Sequence, residues 1–153
     1  MKIIFVCHGS ICRSPAAEWI AKQLAPIYLP NVPMEICSRA LSHEEIGNDI
    51  YPPMKRALFA AGVPFEPHHA AYLSTADAAS ADIIFYMDHS NEMLLKRHYP
   101  GVEAKCAPIT LLEKKFEEVE DPWYTGRYDL VVSQIRSCVF GLFHHYGKTG
   151  SFR

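Results

Sequence analysis

A cysteine and an arginine stand close together near the start of the chain with five residues between them: Cys7-His8-Gly9-Ser10-Ile11-Cys12-Arg13. Ser14-Pro15 follow at once. A loop of this length can curl until its backbone N–H groups point inward, and such a concavity binds an anion. A helix starting directly after it adds unpaired N–H groups and the positive end of its dipole. Gly9 supplies the conformational freedom that a tight curl needs. The planar fork of Arg13 suits two oxygens of one phosphate. These electropositive surroundings favour the thiolate form of Cys7, which is the nucleophilic form. A thiolate beneath a phosphate attacks in line and forms a cysteinyl-phosphate. Ser14 can then hydrogen-bond the sulfur and help it leave. The spacing alone arises by chance too often to carry this reading, the plain alternative being a buried cysteine and a surface arginine. The context sharpens it: a strand ends at Cys7, a glycine lies inside the loop, and Ser-Pro opens a helix immediately after Arg13.

The surrounding elements follow from hydrophobic pattern. Lys2–Val6 is a β-branched and aromatic run and reads as a buried strand. Ser14 suits an N-cap and Pro15 the first helical position. Ala17, Ile20, Ala21 and Leu24 continue at helical spacing until Pro26 and Pro30 close the helix. Met34–Ser38 predicts a second strand, Pro52–Gly62 a helix, Asp82–Met87 a strand, Asn91–His98 a helix and Ala104–Ala107 a short strand. Residues 113–127 are charged and turn-like. Val131, Ile135, Cys138, Val139, Leu142 and Tyr146 form one apolar stripe, so Tyr128–Tyr146 predicts a long amphipathic helix capped by Gly147. Strands alternating with helices imply a single three-layer α/β domain, with a parallel sheet of about four strands flanked by helices. In such sheets ligands bind beyond the carboxyl ends of the strands, and Cys7 sits at that end of the first one.

Bulk composition is consistent with this. The 153 residues are 49% hydrophobic and 21% charged, enough apolar material for one core without metal or disulfide staples. The net charge of -2, with no Lys/Arg run, argues against nucleic acid as a partner. No apolar run is long enough to span a bilayer. Met1–Val6 is too short for a signal-peptide core. Five cysteines and no signal peptide predict reduced thiols and a cytoplasmic setting. No cysteine or histidine spacing predicts a metal site, and neither a metal nor an organic cofactor is expected.

The loop residues resemble a known family. Val6-Cys7-His8-Gly9-Ser10-Ile11-Cys12-Arg13-Ser14-Pro15 is similar to the N-terminal motif of the low-molecular-weight protein tyrosine phosphatases, Val-Cys-x-Gly-Asn-Ile-Cys-Arg-Ser-Pro. A late Asp121-Pro122-Trp123-Tyr124 resembles the family's Asp-Pro followed by aromatics. Glu45-Ile46-Gly47-Asn48 and Met87-Asp88-His89-Ser90-Asn91 are further echoes, so the resemblance spans the chain. It implies hydrolysis of protein phosphotyrosine by a monomeric enzyme, with Cys7 as nucleophile, Arg13 as clamp and the backbone from His8 to Arg13 as cradle. Asp121 would be the general acid, protonating the leaving tyrosyl oxygen and later activating water. Trp123 and Tyr124 would flank the substrate ring. Cys12 would be able to trap Cys7 in a protective disulfide. Asp88 would orient Arg13, and Ser38 and His69 would support the loop, although His68 aligns equally well.

Four positions depart from the family pattern, one being Tyr72, where the family often has an Arg shortly after the supporting histidine. Ser10 stands where the family usually has Asn, which tolerates positive φ better. His8 replaces a more usual apolar residue. Glu44 lies where an aromatic often lines the cleft, and there it would disfavour acidic residues flanking the phosphotyrosine. Related activities are less well matched. Phosphoarginine-directed members of the family usually carry Thr at the position of Ile11. Arsenate reductases of this fold relay electrons through late cysteines, but Cys106 and Cys138 are not a close pair. A phosphocarrier would need neither Arg13 nor Asp121.

Overall fold

A computed structural model describes all 153 residues, Met1–Arg153. Strand β1 (Lys2–Cys7) lies inside a four-stranded parallel sheet of order β2-β1-β3-β4, with β2 at Glu35–Ala40, β3 at Ile83–Tyr86 and β4 at Cys106–Pro108. The β1 side chains alternate between the two faces of the sheet, as the pleat requires. Ile3, Phe5 and Cys7 join the larger core, which is shared with helices α1 (Arg13–Tyr28) and α6 (Tyr128–Thr149). Ile4 and Val6 join a smaller core on the opposite face, with Ala78 of α3 (Thr75–Ser80) and Leu95 of α4 (His89–His98). Helix α2 (Pro52–Ala60) adds Met54, Ala57 and Leu58 to the larger core. The result is the α/β domain that the alternation predicts.

Strand order reverses between β1 and β3, because the chain leaves β1 for β2 on one side and returns to β3 on the other. The crevice that opens at such a reversal lies beyond the strand C-termini. Cys7, the last residue of β1, pairs with Ala40, while Val6 pairs with Tyr86. The sulfur therefore stands at the mouth of the crevice on the face that carries α1.

Several boundaries differ from the sequence expectation. Cys12, rather than Ser14, occupies the N-cap of α1, without a side-chain cap bond. Ser14 lies in the first turn, where its N–H needs no intrahelical partner and is free to serve the site. Helix α1 continues through Pro26 to Tyr28, the proline removing the one N–H that would have bonded the carbonyl four residues earlier. Gly147, the expected cap of α6, lies inside that helix, and the cap is Gly150 with φ 74°. A Cβ at Gly147 would come within 3.4 Å of the Tyr28 carbonyl, so this glycine serves the close approach of α6 to the end of α1. The six-residue α3 was not anticipated. It is a short alanine-rich segment capped by the Ser74 hydroxyl, which accepts from the Asp77 N–H. In the stretch read as turn-like, a four-residue helix α5 (Pro122–Thr125) follows Asp121. The fourth strand is displaced to Cys106–Pro108, behind a 3₁₀ turn at Val102–Lys105.

Candidate active site

The Cys7–Arg13 loop curls around its first side chain. The Cys7 sulfur accepts from the Ser10 N–H at 3.3 Å and the Ser14 N–H at 3.4 Å, and the Ser14 hydroxyl lies 3.3 Å away. The N–H groups of His8, Gly9, Ile11, Cys12 and Arg13 donate to no acceptor within the protein. Unpaired N–H groups are costly in a protein interior. Here they belong to residues lining a cleft of about 420 Å³, together with Cys7, Ser10, Asp121, Trp123 and Tyr124. Clustered donors of this kind make an anion-binding concavity.

The bend has a specific origin. Ser10 has φ 56° and is the only residue other than glycine in the left-handed region. That conformation costs about 1–2 kcal/mol for a residue with a Cβ, less than the ~1.5–3 kcal/mol from burying one large apolar side chain nearby. Every polar group of Ser10 is engaged. Its N–H meets the sulfur, its hydroxyl accepts from Ser14 at 2.8 Å, and its carbonyl lies 2.6 Å from His68 Nε2. Gly9 is not in the left-handed region; it is small because Glu45 packs on it, where a Cβ would come within 3.1 Å of Glu45 Cγ.

His68, not His69, therefore supports the loop. His68 is 9% exposed, while His69 lies in solvent. Because a carbonyl only accepts, the His68 ring must carry its proton on Nε2. Asp49 holds this histidine from behind, accepting the His68 N–H at 3.0 Å. Lys55, bonded to Asp49 at 2.5 Å, leads the interactions that hold the Asp49 carboxyl down to about 2, so it stays ionised through neutral pH. The sequence reading missed Asp49, whose only signal is its place in the Gly47-Asn48-Asp49 turn cluster. Ser38 is not part of this support. Its hydroxyl donates to Glu18 at 2.7 Å, tying β2 to α1 behind the loop.

His68→Ala strands the buried Ser10 carbonyl and is expected to cost about 1–3 kcal/mol. Thermal unfolding should show this as a drop of several degrees, accompanied by weaker phosphate binding, while His69→Ala changes neither. Equal effects of the two substitutions would remove His68 from this role.

Arg13 is 3% exposed and joins three segments. Its Nη1 donates to Asp88 at 2.7 Å and to the Val119 carbonyl at 3.0 Å, while Nη2 lies 3.5 Å from Asp121 Oδ2. Burial opposes its charge, yet Cys7, Asp88 and Asp121 outweigh that and hold its pKa above the ordinary value. Asp88 divides its oxygens, one to Arg13 and the other to the Asn91 N–H as the cap of α4. The segment carrying Asp121 is pinned by the Val119 N–H, which donates to the Met87 carbonyl at 3.0 Å. Asp121 Oδ1 accepts from the Trp123 N–H at 3.0 Å and caps α5, so its other oxygen faces the guanidinium. Trp123 is half exposed and packs on Tyr51 at 5.2 Å, whereas Tyr124 stands almost free.

Of the two loop cysteines, Cys12 is unsuited to attack. Burial, followed by the nearby Cys7, pushes its thiol up to about 12. All five cysteines are free. At the rim, His8 Nε2 lies 3.1 Å from Glu44 Oε2, so the acidic residue expected near the mouth is there, paired with the unusual His8.

A family model described as low molecular weight phosphotyrosine protein phosphatase matches residues 2–150. The chain belongs to this family. The human low molecular weight phosphotyrosine protein phosphatase is 36% identical over 138 residues, covering 83% of this chain and 82% of its own. The low molecular weight protein-tyrosine-phosphatase YfkJ of Bacillus subtilis is 30% identical, covering 90% of each. The crystal structure of YfkJ superposes with a TM-score of 0.90 at 26% identity, covering 99% of this chain and 97% of that one. Membership places the chain among the protein-tyrosine phosphatases, which are phosphoric monoester hydrolases. In this phosphatase the motif residues Cys7, Arg13, Asp121, Trp123 and Tyr124, distant in sequence, line one cleft, with Asp88 braced against Arg13 behind it. No helix is long and apolar enough to cross a membrane.

Proposed function

We propose that this phosphatase hydrolyses protein phosphotyrosine in two steps through a phosphate ester on Cys7. The observation that carries the reading is the set of five backbone N–H groups without protein partners, closed on one side by the Cys7 sulfur and on the other by Arg13. Donors arranged in advance around the place where charge develops are the largest source of catalysis in such sites.

In the first step the Cys7 thiolate attacks phosphorus, an S–P bond forms, and the P–O bond to the tyrosyl ring breaks. Asp121 gives its proton to the leaving phenolic oxygen, which would otherwise depart as phenolate. The cradle N–H groups and Arg13 hold the three equatorial oxygens, where the charge is spread. In the second step Asp121 takes a proton from water, the water oxygen attacks phosphorus, and the S–P bond breaks. The Ser10 and Ser14 N–H groups receive the returning thiolate, and the Ser14 hydroxyl, 3.3 Å from the sulfur, turns its proton from the Ser10 hydroxyl to the sulfur. Trp123 and Tyr124 flank the ring of the substrate. No metal or organic cofactor enters the scheme, because the loop supplies the positive field. Unpaired cysteines suit a reducing, cytoplasmic setting, and we take the enzyme to act as a monomer.

The test is a comparison of one peptide carrying phosphotyrosine with its phosphoarginine counterpart, in the presence of a chelator. Phosphotyrosine turnover is expected to exceed phosphoarginine turnover by at least about tenfold and to be unaffected by the chelator, since Ile11 offers the cleft no hydroxyl. Preference for phosphoarginine, or loss of activity on chelation, would overturn the assignment.

A further inference from the structure

Beyond Trp123 lies a second, more open groove of about 560 Å³, which shares no lining residue with the cleft. Tyr51 links the two. Its ring lies 5.2 Å from Trp123, which lines the cleft, and 6.2 Å from Tyr128, which lines the groove. The mouth and the groove differ in charge. The mouth carries Glu44 and Glu45 beside His8 and Gly9. The groove carries Arg56, Arg127 and Asp129.

The groove charges are not equivalent. Arg127 is already engaged, forking onto Glu120 with bonds of 2.9 and 2.6 Å. Asp129 lies in the first turn of α6, where the helix dipole favours a negative charge. Arg56 is exposed and makes no ion pair or hydrogen bond, so it is the uncommitted cation of this surface. Three residues further along α2, on the same helix face, Phe59 is 81% exposed. A cation without a partner, one helical turn from a bare aromatic ring and separated from the catalytic cleft by the rings of Tyr51 and Tyr128, is complementary to a polypeptide segment that carries a carboxylate.

Resting on the phosphotyrosine reading, we propose that this groove docks an acidic side chain of the phosphoprotein substrate, with Arg56 as its charge partner and Phe59 as an apolar contact beside it. The rings of Trp123, Tyr51 and Tyr128 follow one another at 5.2 and 6.2 Å, so at about 3.3 Å per residue an extended chain crosses from Trp123 to Tyr128 in roughly three or four residues, which sets the spacing to be tested. The acidic rim at Glu44 and Glu45 opposes acidic residues immediately next to the phosphotyrosine. Together the two surfaces select spacing as well as charge, rejecting a carboxylate at the mouth and accepting one further along.

The experiment uses phosphotyrosine peptides with Glu at the third and fourth positions on either side of the phosphotyrosine, against matched peptides with Gln. For the parent enzyme at low salt, kcat/KM for one Glu peptide is expected to exceed that of its Gln match about fivefold, the size of a favourable exposed ion pair. In Arg56→Glu the ratio should fall to one or below, and a Lys peptide should become the preferred substrate. High salt should erase the parent preference, since exposed charges are screened. A parent ratio of one at all positions, or a ratio that Arg56→Glu leaves intact, would overturn the docking site. Failure of the parent enzyme to hydrolyse any of these peptides or para-nitrophenyl phosphate is a different result, which overturns the phosphatase reading beneath it.

Discussion

Cys7→Ser is expected to reduce turnover of para-nitrophenyl phosphate by about 10⁴-fold or more, as is usual when a covalent nucleophile is removed. Inorganic phosphate should still bind, because the cradle donors are backbone N–H groups and the Arg13 fork, none of which the substitution touches. The serine oxygen can accept the same N–H bonds from Ser10 and Ser14 that the sulfur accepts. It fails as a nucleophile because a hydroxyl remains protonated where a thiol ionises, and no base in the site is placed to activate it. Steady-state kinetics and calorimetric phosphate titration of one preparation separate the two properties. Residual turnover within tenfold of the parent would place the nucleophile elsewhere, and loss of phosphate binding along with turnover would mean that the loop had collapsed.

Asp121→Asn is expected to lower turnover by about 10²–10⁴-fold with aryl phosphates whose phenols are poor leaving groups, and far less with strongly activated ones. The asparagine keeps an oxygen to accept the Trp123 N–H, so the cap of α5 survives and the change isolates the proton. Asp121 Oδ2 stands 3.5 Å from Arg13 Nη2, close to where the phosphate oxygens must lie. A carboxylic acid there can reach the bridging oxygen of a bound ester. The dependence on leaving group is the diagnostic, since a residue that only shapes the cleft would cost the same with every substrate. An equal loss across the series would reduce Asp121 to a capping residue.

The parts of the fold that sequence alone reveals are those set by local pattern. The apolar runs of β1 and β3 and the stripe of α6 each fill one side of a core, and burial follows directly from their periods. Elements set by tertiary contact were not visible. Helix α3 is too short and too rich in alanine to carry a period, and α6 runs past Gly147 because that glycine packs on the Tyr28 carbonyl. The site divides in the same way. Cys7 and Arg13 are neighbours along the chain, and their spacing predicts the loop. His68 and His69 are indistinguishable until burial separates them. Asp49 reaches the loop only through His68, a contact across nineteen residues that no local motif encodes. Ser10 shows the reverse. It stands where the family usually has Asn, which takes positive φ more readily, yet its hydroxyl, carbonyl and N–H are all paired, and together these bonds stabilise the left-handed turn.

The two-sided alternation of β1 constrains how this sequence can diverge. The sulfur shares a face with Ile3 and Phe5 only because it lies an even number of positions along the strand from each. Insertions between Ile109 and Val119 would lengthen a largely exposed connection and leave that parity intact. A single residue gained or lost within Lys2–Val6 would turn the thiol toward α4, into the apolar layer with Leu95, and away from every donor that now surrounds it. Lineages descending from this chain are therefore free to vary in overall length but not in the parity of the count from the first strand residue to the sulfur.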